Sequence, residues 1–188
     1  MLDQVLWFAT RGAGAVSLLM LTASVTLGVV TVSRFEAAGW PRFFNYELHR
    51  RISLLAIVFL AVHIVAAVFD PFTSLGIGAA LVPLASSYRP VPVAMGVVAV
   101  YLFVALIATS LLRKRVGQKA WRAIHWTSYA MWPLALLHGM TAGTDAFSAW
   151  MLAIDLACVA TIALAVAWRI LPRGTITGSA GTARPTVR

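Results

Sequence analysis

The sequence predicts an all-α integral membrane protein, a bundle of five transmembrane helices. Of its 188 residues, 61% are hydrophobic and 11% are charged, whereas a soluble domain carries about a quarter charged residues. The apolar residues form long segments, and a helix needs about 20 such residues to cross a bilayer. These segments are continuous rather than alternating in polarity, so they indicate helices rather than the strands of a closed barrel.

The five predicted helices cover residues 5–32, 48–68, 92–112, 119–140 and 148–170. The loop 33–47 combines arginines with aromatic residues, a composition typical of an interfacial anchor. The connection 69–91 is the longest, and its apolar part is too short and too rich in Gly and Pro to span a bilayer. Together these elements form one transmembrane domain, residues 1–171. The basic tail, residues 172–188, is rich in Gly, Thr, Pro and Arg and is predicted to be disordered.

The net charge of +9 reflects membrane topology rather than a nucleic-acid partner. Basic residues concentrate in the first and third loops and after the fifth helix, while the opposite side carries only Arg11 and Arg89. By the positive-inside rule, the loops and the tail lie in the cytoplasm and the N-terminus lies outside. The sequence therefore predicts a multi-pass protein of the cytoplasmic (inner) membrane, with the lipid bilayer as its main surroundings and no nucleic-acid partner.

Four histidines, the only ones in the chain, lie in two of the predicted helices. His49 and His63 are 14 residues apart on the second helix, and His125 and His138 are 13 apart on the fourth. At about 1.5 Å per residue, these spacings correspond to roughly 21 and 20 Å along each helix axis. Because both helices run outward, His49 should pair with His125 near the inner face and His63 with His138 near the outer face.

Ionisable residues inside a membrane span usually have a function, and neutral imidazole is a good ligand for haem iron. Two pairs at matched depths predict two stacked haems, each held by two histidines, and thus a path for electrons across the membrane. The phase of the fourth helix fits less well, because 13 residues leave His138 roughly 140° from His125 on a straight helix. A kink at Pro133 could correct that phase.

Other interpretations of the histidines remain open. A single haem on His63 and His138 would leave His49 and His125 in other roles. Structural hydrogen bonding by all four would suit a non-redox transporter or an assembly subunit. A proton relay would usually recruit acidic residues, and Asp155 is the one acidic residue well inside a predicted span.

The chain resembles the ferric reductase-like transmembrane domain shared by ferric reductases, NADPH oxidases and the haem-binding membrane subunit of the bacterial methionine sulfoxide reductase system. The resemblance covers residues 7–170. It rests on the 14- and 13-residue histidine spacings, on SSYRP at residues 86–90, and on RKRVGQKAWRAIHWTSY at residues 113–129. It implies b-type haem, ligation by two histidines and transmembrane electron transfer.

Two departures from the family pattern affect the expected function. The family core usually has six helices, whereas five are predicted here, and no Gly-rich dinucleotide motif opens a βα unit. The electrons should therefore come from a separate flavoprotein or from a quinol. The expected acceptor is extracytoplasmic, either ferric iron or a redox partner.

Five arginines are candidate partners for the anionic haem propionates, because the planar guanidinium matches a carboxylate. They are Arg50, Arg51 and Arg122 at the inner haem, and Arg11 and Arg89 at the outer one. Each could instead serve membrane topology or bind lipid headgroups.

Overall fold

The computed structural model describes residues 1–32 and 42–171, with Arg42 described by its backbone alone. Most of the predicted interfacial anchor and the predicted disordered tail lie outside these residues. Across the described ranges the chain is helical, with eight helices and no strand. Their bounds are α1 Leu2–Val32, α2 Arg42–Phe69, α3 Gly76–Leu81, α4 Pro90–Leu111, α5 Arg113–Val116, α6 Gln118–His125, α7 Ser128–Ala142 and α8 Ala149–Ile170.

Four helices, α1, α2, α4 and α8, are long and apolar enough to cross a membrane. The chain is therefore a multi-pass helical membrane protein. In the connection between α2 and α4, the apolar piece forms only the six-residue helix α3, which is too short to span. Much of the apolar surface of the long helices is exposed, as expected where lipid replaces water as the solvent.

The prediction of one continuous helix over residues 119–140 is wrong. The segment divides at Trp126 and Thr127 into α6 and α7. Here the backbone N–H of Thr127 bonds to the Ile124 carbonyl at 3.0 Å, and the Thr127 hydroxyl donates to the same oxygen at 2.7 Å. Threonine side chains that bond back to the preceding turn bend helices. Pro133 lies inside α7 without ending it.

The helices surround a core that lies between the two levels of histidines. α1 packs along α2 and also contacts α7 and α8, while α4 packs against α7. The buried cluster between them includes Leu21, Ala56, Phe103 and Met131. Ala56 is seven residues from both His49 and His63, so this apolar layer separates the two levels.

Candidate functional site

The structure brings the four histidines together in the two predicted pairs. The ring centroids of His63 and His138 are 6.1 Å apart with an interplanar angle of 78°. Those of His49 and His125 are 6.4 Å apart with an angle of 66°. Since α6 and α7 are separate helices, the phase computed for one straight helix does not apply. The break before α7 lies between the two histidines, and each of them pairs with a histidine of α2.

Three of the imidazoles are anchored by their Nδ1 atoms to backbone carbonyls of neighbouring helices. The carbonyl of Thr10 lies 2.7 Å from His63 Nδ1, and that of Pro92 lies 2.8 Å from His138 Nδ1. His49 Nδ1 lies 2.9 Å from the Ser24 carbonyl. A carbonyl oxygen only accepts, so each Nδ1 must carry the hydrogen. In a neutral ring, Nε2 is then the free nitrogen, the form that binds a metal.

His125 is held differently. Its buried Nδ1 has no hydrogen-bond partner among the described residues. Its ring stacks instead on Trp121, with centroids 4.9 Å apart and an interplanar angle of 26°. The guanidinium of Arg113 lies 4.1 Å from the centroid of the same indole, and the indole Nε1 donates to the Ser110 hydroxyl at 3.3 Å. Packing, rather than a carbonyl, therefore orients this imidazole.

A cavity lies beside the His63–His138 pair, and α1, α2, α4 and α7 all contribute to its walls. Its lining is predominantly apolar and includes Leu60, Val100 and Met131. Polar groups, among them Arg11 and Asp145, lie on the side nearest the start of α1. An apolar cavity with a few polar groups at one side is the usual form of a cofactor site.

The residues present fit a haem held through two axial histidines. Two metal–imidazole bonds of about 2 Å in a line would place the ring centroids roughly 6 Å apart, close to the 6.4 and 6.1 Å between the paired rings. Among the described residues, no group of three or more His, Cys, Asp or Glu side chains could hold a metal ion. Each histidine pair supplies two imidazole nitrogens, a donor type that holds haem iron in proteins.

The two arginines predicted at the outer haem have protein partners. Arg11 forms an ion pair with Asp145. Arg89 donates to the Thr141 carbonyl at 2.6 Å, and thereby satisfies a carbonyl that the end of α7 leaves without a helical partner. The structure thus gives both arginines roles in binding the end of α7 to the rest of the bundle. Propionate binding by either one stays a prediction.

The three arginines predicted at the inner haem are exposed. Arg51 donates to the Glu47 carboxylate at 2.8 Å, and Arg50 lies 3.7 Å from the same carboxylate. Arg122 lies on α6, one turn before Trp126. Their role at a propionate also stays a prediction.

Comparison with known protein families identifies the architecture. The family model described as the ferric reductase-like transmembrane component matches residues 12–139, a range that includes all four histidines. The chain belongs to this family. The comparisons with curated proteins and with solved structures found no match. Membership in the ferric reductase-like family indicates a membrane component for electron transfer.

Sequence reasoning missed the groups that orient the histidines. Backbone carbonyls carry no sequence signal of their own, so Thr10, Ser24 and Pro92 could not be recognised. Trp121 does carry a signal, because it precedes His125 by four residues and two side chains at that spacing share one face of a helix.

Proposed function

We propose that this protein is a membrane b-type cytochrome that relays electrons across the cytoplasmic membrane through two haems. His49 and His125 would ligate one haem, and His63 and His138 the other. The observation that carries the proposal is the presence of two imidazole pairs, 6.4 and 6.1 Å apart between ring centroids, on opposite sides of one apolar layer. Family membership supports the same conclusion.

The residues of the chain would perform three tasks for the haems. The Nε2 atoms of each histidine pair would hold the iron, and the Nδ1 atoms of His49, His63 and His138, which lie against carbonyls, would fix the tautomer and raise the basicity of those ligands. The apolar walls of the cavity beside His63 and His138 would keep water away from that site. When bound, haem supplies an iron that alternates between ferric and ferrous forms, with a potential that the axial ligands and the surrounding polarity adjust.

The apolar layer would keep the two haems apart within one bundle. His49 and His63 are 14 residues apart on α2, or about 21 Å along a helix. Leu21, Ala56, Phe103 and Met131 fill the space between the two levels. Leu21, Ala56 and Phe103 have no atom that could replace a histidine as a ligand of haem iron. Met131 has a thioether sulfur, and methionine sulfur ligates haem iron in some cytochromes. A bound haem on each side would leave this layer as the medium that electrons cross.

We further propose five crossings, in which α6 and α7 together form the fourth along the chain and α1, α2, α4 and α8 form the others. The 15 residues of α7 are fewer than the roughly 20 that a bilayer requires, but α6 adds eight more. An odd number of crossings would put the two termini on opposite sides of the membrane. The positive-inside rule assigns the side that carries the basic residues of α5 and the start of α6 to the cytoplasm, which would put the N-terminus outside and the C-terminus in the cytoplasm. The His49–His125 pair would then be the inner one.

The electron donor would be a separate flavoprotein or a quinol. The acceptor would lie on the extracytoplasmic side, as ferric iron or as a redox partner protein. In this arrangement the chain is the transmembrane electron-transfer component of an oxidoreductase.

Haem quantitation tests the proposal directly. Purified protein from haem-replete cells should show a Soret band and, on reduction, an α band, with two haems per polypeptide by pyridine haemochrome. His49→Ala and His63→Ala lie on the same helix and serve as mutual controls, because each should remove a different haem and leave the other. A stable, haem-free wild-type protein would contradict the proposal and favour a non-redox transporter or an assembly subunit.

One haem per polypeptide is the second candidate, and the unpartnered Nδ1 of His125 favours it. In that case the haem would bind to His63 and His138. His49→Ala and His125→Ala would then leave the haem content unchanged, whereas His63→Ala would abolish it.

A further inference from the structure

Three of the four imidazoles contact the neighbouring helix through the same local arrangement. In each, the carbonyl of one residue lies within hydrogen-bond distance of Nδ1, and the residue four positions later is glycine. We name this arrangement a carbonyl–glycine cradle. The cradles are Thr10–Gly14 for His63, Ser24–Gly28 for His49 and Pro92–Gly96 for His138.

Helix geometry explains why glycine occupies the second position. The carbonyl of residue i points toward residue i+4, whose side chain leans back over the preceding turn. A β-carbon there would stand between the carbonyl and an approaching ring. At Gly96 it would lie 2.7 Å from His138 Nδ1, and at Gly14 it would lie 2.9 Å from His63 Nδ1. Both distances are shorter than van der Waals contact allows.

The cradles on α1 match the histidines on α2 in spacing. Gly14 and Gly28 are 14 residues apart, as are His63 and His49. Because α1 and α2 are antiparallel, the first cradle meets the second histidine and the second cradle meets the first. One helix therefore presents two acceptors at the two depths where its neighbour presents two imidazoles.

The fourth imidazole has no such cradle. Fourteen residues after Gly96 on α4, the position that would repeat the α1 spacing holds Ser110. The Ser110 hydroxyl accepts from Trp121 Nε1, and Trp121 stacks on His125. The imidazole that faces no glycine, His125, is thus also the one whose Nδ1 has no hydrogen-bond partner among the described residues.

We propose that Gly14 and Gly96 are positioning residues for the axial ligands of the haem at His63 and His138, an inference that rests on the proposed function. Because glycine has no side chain, each ring can approach a backbone carbonyl. Nδ1 then donates its hydrogen to that carbonyl, and Nε2 is left as the ligand. Gly28 has a lesser role, because a β-carbon there would lie 3.8 Å from His49 Cε1, an ordinary contact. Alanine should therefore be tolerated at Gly28 but not at Gly14 or Gly96.

The test uses full-length protein carrying His49→Ala, which retains only the haem at His63 and His138. Gly14→Ala or Gly96→Ala is added to this background, and Gly12→Ala is the matched control, since nothing lies within 4 Å of a β-carbon at that position. Loss of outer-sphere support typically weakens metal binding by about 10- to 100-fold. Titration with haem b should show a loss of that order for both test variants, and the low-spin ferric EPR spectrum should shift. Gly12→Ala should change neither.

Equal haem affinity and equal EPR spectra for Gly96→Ala, Gly14→Ala and Gly12→Ala would overturn the cradle proposal while leaving the proposed function intact. A wild-type protein that binds no haem would overturn both. The His49→Ala protein without a glycine substitution covers variants that fail to fold. Pulsed EPR of its remaining haem measures the quadrupole coupling of the non-coordinated imidazole nitrogens, which reports whether their N–H groups are hydrogen-bonded. Remote N–H groups without a hydrogen bond would overturn the proposal.

Discussion

Arg11 on α1 forms an ion pair with Asp145 in the connection between α7 and α8. The same guanidinium donates to the Thr144 hydroxyl and lies 3.3 Å from the centroid of the Trp7 ring. Arg11, Trp7 and Asp145 also line the cavity beside His63 and His138. A single side chain thus fixes the end of α7 to α1 at the rim of the candidate haem site.

Replacing Arg11 by Ala should destabilise the folded protein by roughly 1–3 kcal/mol, because it removes charge-assisted hydrogen bonds and leaves the partly buried Asp145 carboxylate without its cationic partner. Asp145→Asn should cost less, and the double variant should cost less than the two single costs together. Thermal unfolding in detergent measures each value. The control is Asp3→Asn, because Asp3 is an exposed acid on the first turn of α1. If the cost of the double variant equals the sum of the two single costs, a direct ion pair is contradicted.

The sequence predicted the pairing of the histidines because the pairing depends on the fixed rise of a helix and on the common direction of the two helices. It did not predict the break between α6 and α7, since that depends on Thr127 bonding to Ile124 in competition with the regular helical pattern. Proline was the more obvious breaker, yet the helix continues through Pro133.

The arginines were harder to assign for a different reason. Their side chains are long, so closeness to a histidine in sequence leaves many partners within reach. Arg51 contacts a carboxylate one turn away, and Arg89 contacts a carbonyl of another helix.

The roles of the glycines were ambiguous in the sequence as well. Small residues commonly allow close helix contacts in membranes, and only the structure shows that Gly14 contacts an imidazole.

Trp121 should be required for the haem at His49 and His125. Its indole is stacked on His125, whose Nδ1 has no other support among the described residues. Trp121→Leu removes the flat surface and the hydrogen bond to Ser110, so this imidazole should lose its fixed orientation. We expect the haem at this pair to bind about 10-fold more weakly, at the lower end of the range for outer-sphere changes.

Haem titration of the His63→Ala background, which retains only that site, measures the effect of Trp121→Leu. Trp126→Leu is the matched control on the same segment, since Trp126 is 58% exposed and pairs with Tyr129 rather than with a histidine. Similar affinities for the two variants would show that the stack does not orient His125.

Two threonines one turn apart on α1 offer a test of the bundle itself. Trp132 Nε1 on α7 donates to the Thr22 hydroxyl at 2.9 Å, whereas the buried hydroxyl of Thr26 has no partner among the described residues. Thr22→Val should cost about 1 kcal/mol of unfolding free energy, because it leaves the indole N–H unpaired in an apolar interior. Thr26→Val should be neutral or slightly stabilising, because it removes a polar group that gains nothing from burial. Reversible unfolding in mixed micelles measures both, and equal costs would exclude a contribution from the α1–α7 hydrogen bond.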